Sequence, residues 1–141
     1  NTIESIEFAT KGNGADFGDL TATRRNVGGF SNETRGLIAG GSTPSYVNNI
    51  DYVTIASASN ATDFGDLTVA RRTSNSGAGS STRAIFSGGY NPSGYPDTID
   101  YVTTASTGDA TDFGNLTTAR GYGSALSNEG CICRRSRWFR G

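Results

Sequence analysis

Asp16-Phe-Gly-Asp-Leu-Thr21 recurs as Asp63-Phe-Gly-Asp-Leu-Thr68 and as Asp112-Phe-Gly-Asn-Leu-Thr117, at spacings of 47 and 49 residues. Self-similarity at such a period marks a repeat architecture, in which each unit buries its apolar face against its neighbours. The match extends outward on both sides. Upstream, Ile50-Asp-Tyr-Val-Thr54 returns as Ile99-Asp-Tyr-Val-Thr103, with a looser Ile3-Glu-Ser-Ile-Glu7 in the first copy. Downstream, Arg24, Arg71 and Arg120 follow each motif at one common offset, and Arg35-Gly-Leu-Ile-Ala-Gly-Gly41 is answered by Arg83-Ala-Ile-Phe-Ser-Gly-Gly89. The units run 1–47, 48–96 and 97–129, followed by a divergent basic tail at 130–141.

Within a unit the apolar pattern has period two, in short runs bounded by Gly, Asn, Ser and Asp, which is strand and turn chemistry without a helix-length stretch of 3.6 periodicity. Four strands per unit are expected, in the second copy at about 49–56, 62–68, 74–80 and 83–88. Ile50 and Tyr52 point one way while Val53 and Ile55 point the other, and Ala84-Ile85-Phe86 is apolar without alternation. A strand apolar on both faces needs a layer on each side, which a stack of sheets supplies. The expected fold is therefore all-β, built from four-stranded antiparallel blades of the size found in β-propellers.

The order of residues resembles the kelch repeat: an apolar strand with Tyr52 or Tyr101, an aromatic at Phe64 or Phe113, Leu-Thr-x-Ala-Arg at 67–71 and 116–120, and an apolar strand closing on Gly40-Gly41 or Gly88-Gly89. Phe stands where kelch favours Trp, and the first copy has Ser5 for Tyr and Thr23 for Ala. The Ala-Thr-Asp-Phe-Gly-Asp-Leu-Thr variant is also similar to repeats of marine bacteriophage virion structural proteins. The resemblance implies a non-catalytic propeller module for binding or structure, including a phage virion or tail-associated repeat fragment. The alternative is a propeller enzyme acting on glycans through repeat carboxylates, whose spacing alone leaves glycoside cleavage open.

Closed propellers have typically 4–8 blades, and three units fall short. An open four-stranded face exposes on the order of 300 Å², roughly 8 kcal/mol of unrealised burial. Self-association is the expected remedy: a homodimer would make six blades and a trimer nine.

Composition removes whole classes of chemistry. The 141 residues include no His and no Met, 20 Gly, and 34% hydrophobic residues. Without histidine there is no His-ligated zinc site and no Ser-His or Cys-His nucleophile pair. Without methionine the chain reads as a processed product or a piece of something longer. No apolar run approaches 18 residues, so no membrane span is expected. Residues 1–129 hold eight basic and 13 acidic residues, a net charge of −5, which argues against nucleic-acid binding. Four arginines (Arg134, Arg135, Arg137, Arg140) and both cysteines (Cys131, Cys133) sit in the tail. There the third copy departs from its template after Ser127-Asn-Glu129. A coding stretch GGG TGT ATT TGC AGG CGG for Gly130–Arg135, read one base later, gives Gly-Val-Phe-Ala-Gly, the strand the repeat calls for. The tail is thus read as a frameshift, and its cysteines as neither a metal site nor a disulfide framework.

Asp-Phe-Gly invites a kinase reading, but with Lys11 the sole lysine and no His-Arg-Asp loop the motif is structural. Asp16, Asp63 and Asp112, with Phe17, Phe64 and Phe113, are read as structural repeat residues, and the pairs Asp16/Asp19 and Asp63/Asp66 are assigned to backbone hydrogen bonds at turns in preference to a calcium site. Arg24, Arg71 and Arg120 are assigned to a hydrogen bond or ion pair between blades. Asn32, Asn60 and Asn115 open Asn-x-Thr triplets that an Asn- and Thr-rich repeat produces by chance. No catalytic residue, metal or cofactor is expected. The least repetitive segments are Ser42–Val47 and Tyr90–Pro96, connections where binding usually resides. Tyr46, Tyr90, Asn91 and Tyr95 are the expected contact residues for a protein or glycan.

Overall fold

A computed structural model describes residues 1–74 and 76–127 together with the backbone of 131–135. Of the basic tail, Cys131–Arg135 continues the sheet as a strand, where the sequence reads as divergent, while residues 130 and 136–141 lie outside the described residues. The chain is all-β, and among the described residues there is no helix. The strands are β1 (Thr2–Ser5), β2 (Ala15–Asp19), β3 (Gly28–Ser31), β4 (Arg35–Ala39), β5 (Ser42–Thr43), β6 (Ser45–Tyr46), β7 (Asn49–Thr54), β8 (Thr62–Asp66), β9 (Gly77–Gly79), β10 (Arg83–Ser87), β11 (Thr98–Thr103), β12 (Thr111–Asn115), β13 (Gly123–Ser127) and β14 (Cys131–Arg135). Two four-stranded antiparallel sheets, β3-β4-β7-β8 and β9-β10-β11-β12, are flanked by the pairs β1-β2 and β13-β14, and β5-β6 is a small hairpin.

The sheets do not follow the sequence units. Of the four strands in unit 48–96, β7 and β8 belong to one sheet and β9 and β10 to the next. A repeat defines a period but not where the hydrogen-bonded set begins. Here β4 pairs with β7 across the Gly-Gly connection, Leu37 opposite Tyr52 and Ala39 opposite Ile50, just as β10 pairs with β11. Ile55, expected on a buried face, lies beyond the end of β7 and is exposed.

Asp-Phe-Gly proves to be a bulge. In all three copies the register slips at the same place, between Ile3 and Glu4, Ile50 and Asp51, and Ile99 and Asp100. Gly65 stands opposite Ile50 and Asp63 opposite Asp51, so Phe64 is the extra residue. Gly65 takes φ +144°, a conformation that side-chain-bearing residues rarely adopt. A Cβ there would also strike the carbonyl of Gly108 in the next sheet. Phe64 packs edge-on against Tyr52 with centroids 5.9 Å apart, and Phe113 repeats this against Tyr101 at 5.8 Å.

The core lies between the two large sheets, where Leu37, Ile50, Phe64 and Leu67 meet Ala84, Phe86 and Val102. Full burial of each large side chain contributes about 1.5–3 kcal/mol. The sheets lie closest along one edge, where β9 touches β3 on one side and β13 on the other. At the other edge the loop before each outer strand bonds to the preceding sheet, through Ala61 N–H to Asp19 O at 2.8 Å and Ala110 N–H to Asp66 O at 2.7 Å.

A buried charged joint links successive sheets. Arg71 Nη1 reaches Asp100 Oδ2 at 2.8 Å with both side chains fully buried, while Nε and Nη2 donate to the carbonyls of Gly88 and Phe86. Thr68 donates its hydroxyl to the same carboxylate at 2.6 Å and its backbone N–H at 3.1 Å. One sheet earlier, Arg24 Nη2 meets Asp51 Oδ2 at 2.7 Å and Thr21 donates through the same two groups.

Breaking a buried pair strands the surviving charge, so Asp100→Ala is expected to cost about 3–5 kcal/mol in urea denaturation, whereas Arg71→Met with Asp100→Leu costs less than either single change. Asp66 offers a pH test. Desolvation first, then the charges of Asp109 and Asp63, raise its pKa above the ordinary carboxylate value. The folded chain therefore holds this proton more tightly than the unfolded one, and the stabilisation is lost as pH rises through the raised pKa. Asp66→Asn is expected to raise stability at neutral pH by less than about 1 kcal/mol, since the site is part-exposed, and to flatten the acid side of the stability profile.

Candidate functional site

Consecutive arginines divide between core and surface. Arg71 turns inward to Asp100, and Arg72 turns outward, its Nε donating to Ser42 Oγ at 3.1 Å. The backbone groups of Arg72 and Tyr90 exchange hydrogen bonds at 2.9 and 3.0 Å, which seats the 90–96 connection beside the β5-β6 hairpin. The hairpin carries Tyr46 at its end, and the guanidinium of Arg72 lies over the Tyr46 ring at 5.1 Å.

Three of the four expected contact residues therefore form one row. Tyr46 and Tyr90 have centroids 5.9 Å apart, and Tyr90 and Tyr95 are 5.3 Å apart, with the rings tilted. Tyr46 and Tyr90 are half-buried and Tyr95 is exposed. Asn91 does not join the row. Its carboxamide oxygen accepts from Ser93 N–H at 2.9 Å, and its backbone pairs with Gly94, so it shapes the turn that carries Tyr95. Gly121 lies against the Tyr95 ring, where a Cβ would collide with it. The row thus presents tilted aromatic faces with hydroxyl tips and an adjoining guanidinium, a surface suited to stacking and hydrogen bonding.

The repeat-motif residues lie elsewhere. Asp16, Asp63 and Asp112 are exposed, and Asp112 accepts from Gly114 N–H at 3.0 Å. Among the described residues no three His, Cys, Asp or Glu side chains converge as metal ligands would. Arg24 and Arg71 form the joints between sheets, while among the described residues the Arg120 side chain donates locally, to Thr118 O at 3.1 Å. The sequence reading missed Arg72 and both joint carboxylates. Asp51 and Asp100 had a visible signal: an acid repeating in an otherwise apolar strand must be paired if it is buried.

No family model matches the chain, and no curated protein matches it significantly. Removing the central ring should uncouple the row. Tyr90→Ala is expected to lower stability by about 1–3 kcal/mol, two ring contacts being lost, while Tyr95→Ala costs less than about 1 kcal/mol, as thermal unfolding would read.

Proposed function

We propose that this chain is a non-catalytic, kelch-like β-propeller module that binds a protein or glycan through the tyrosine row, within a ring completed by self-association. The observation that carries the reading is the row itself: Tyr46, Tyr90 and Tyr95 come from two separate connections, yet their tilted rings meet with centroids 5.9 and 5.3 Å apart. Loops that vary between copies on a repeated scaffold are the natural place for recognition. Tyrosine supplies a large contact area at low conformational cost.

The propeller part of the proposal draws on the stacking. Successive sheets approach along one edge, at β3, β9 and β13, as blades do around an axis. Each of the two large sheets is a four-stranded antiparallel meander, the size of a propeller blade. The setting we propose is a phage virion or tail-associated assembly, on the strength of the Ala-Thr-Asp-Phe-Gly motif. Repetitive, self-stacking modules with one variable end suit such a particle.

A glycan array run beside a glycoside-hydrolysis screen tests the proposal. Binding without turnover is expected, weakened by about tenfold or more in Tyr90→Ala and Tyr95→Ala, as aromatic anchors usually are. Turnover abolished by Asp63→Asn would establish an enzyme instead, and binding indifferent to both tyrosine changes would move the site away from the row.

A further inference from the structure

The two ends of the stack are unequal halves of one sheet. β1-β2 repeats the outer pair β7-β8, with the same bulge, and lacks the inner pair that β3-β4 supplies to β7-β8. β13-β14 is an inner pair beside β9, and among the described residues it has no outer one. What one end lacks, the other end has.

The side chains at the two ends are complementary in the same sense. Phe64 is 2% exposed because the second sheet covers it, while its equivalent Phe113 is 53% exposed. Around Phe113 lies an open hollow of about 320 Å³ lined by Ile85, Ile99, Leu116 and Arg120. Inside the stack this face is covered by the opposing face of the next sheet, where Val53 and Val102 are 8% and 3% exposed. Their equivalent in β1-β2 is Ile6, just past the end of β1 and 61% exposed. Each open apolar surface therefore has, at the other end of the chain, the surface that covers its internal counterpart.

Charge follows the same rule. Arg24 holds Asp51 and Arg71 holds Asp100, each aided by a threonine three residues before the arginine. Arg120 and Thr117 stand at the third such position, and among the described residues Arg120 has no acidic partner. The residue aligned with Asp51 and Asp100 in the remaining half-sheet is Glu4, which is exposed. The outer edge repeats the match. Asp19 N–H donates to Asn60 Oδ1 at 3.0 Å and Asp66 N–H to Asp109 Oδ1 at 3.1 Å, and the residue aligned with Asn60 and Asp109 in the first copy is Asn13. Asn115 is the third donor in that series.

We infer that two copies of this chain join head to tail, with Arg120 and Thr117 of each copy closing on Glu4 of the other, and β14 of each pairing with β1 of the other to complete a four-stranded sheet. The occupant of the open face is thus a second copy, because this chain already contains the surface that fits it. The described residues of each 141-residue copy make two whole sheets and two halves, so two such copies hold six sheets and two equivalent seams. A heterologous contact of this kind either closes or propagates, and two copies make a closed set within the 4–8 sheets that rings of this type contain. The inference rests on the ring reading above and adds the residues and polarity of the seam.

Charge reversal in trans tests it. Sedimentation velocity on the 141-residue chain should show a dimer, and Arg120→Glu or Glu4→Arg alone should weaken dimerisation on the order of a hundredfold, since a like-charge pair then faces across each seam. Mixing the two single variants should restore a dimer containing one of each, because one seam then carries the reversed pair and the other the original. The chain carrying both changes should dimerise with itself. Circular dichroism of each single variant should keep the wild-type strand signal, Glu4 being exposed and Arg120 only part-buried in the isolated chain. Wild-type-like dimers from both single variants would overturn the seam while leaving self-association intact. A wild-type chain that remains monomeric would overturn the seam and the self-completed ring together.

Discussion

A guanidinium held between two sheets organises this molecule. Apolar burial pulls a sheet of short strands against its neighbour but has no preferred direction, so it cannot set how far one sheet slides over the next. Arg71 can, because its planar fork reaches Asp100 and the carbonyls of Gly88 and Phe86 together, and no displacement keeps all of these bonds. Thr68 donates twice more to the carboxylate, so both of its oxygens are hydrogen-bonded. Arg24 and Asp51 repeat the joint one sheet earlier, except that Arg24 Nε finds no partner among the described residues.

The joint also explains why the repeat has the form it does. Arg71 and Asp100 lie 29 residues apart, and Thr68 and Asp100 32 apart, so the acid, the threonine and the arginine must recur together for consecutive sheets to lock in one register. The Asp-Phe-Gly bulge serves the same stacking from the outer edge. It inserts Phe64 against Tyr52 and leaves a glycine where the loop of the next sheet passes closest, against the carbonyl of Gly108. A larger residue at Gly65 would push that loop away and break the bond from Gly108 N–H to Phe64 O, 2.7 Å long.

The tyrosine row grows out of this scaffold. Arg71 is fixed by the core, so Arg72 has no choice but to leave it, and its hydrogen bond to Ser42 and its place over Tyr46 draw the hairpin toward the 90–96 connection. The connections are free to differ because the sheets beneath them do not depend on their sequence. The connections, where the copies differ most, are thereby where the tyrosine row stands.

Period, strand positions and all-β class were legible in the sequence because each depends on neighbours along the chain: alternation of side chains, turn residues at the ends of short runs, and the recurrence of Asp-Phe-Gly. So was the place of Tyr46, Tyr90 and Tyr95 on connections distinct from the repeat core, although that their rings meet was decided only in three dimensions. Which strands share a sheet was decided only in three dimensions, since backbone N–H and C=O groups are alike at every residue and β7 could have bonded in either grouping as far as local pattern goes. The same holds for the partner of Arg71, found 29 residues away, for Arg72, whose role exists only because Tyr46 and Ser42 come to it, and for the bulge, which needs an opposing strand to be a bulge at all. Local sequence wrote the parts and their spacing; their pairing came from long-range contacts, because hydrogen-bond geometry and buried charge have meaning only once distant segments meet.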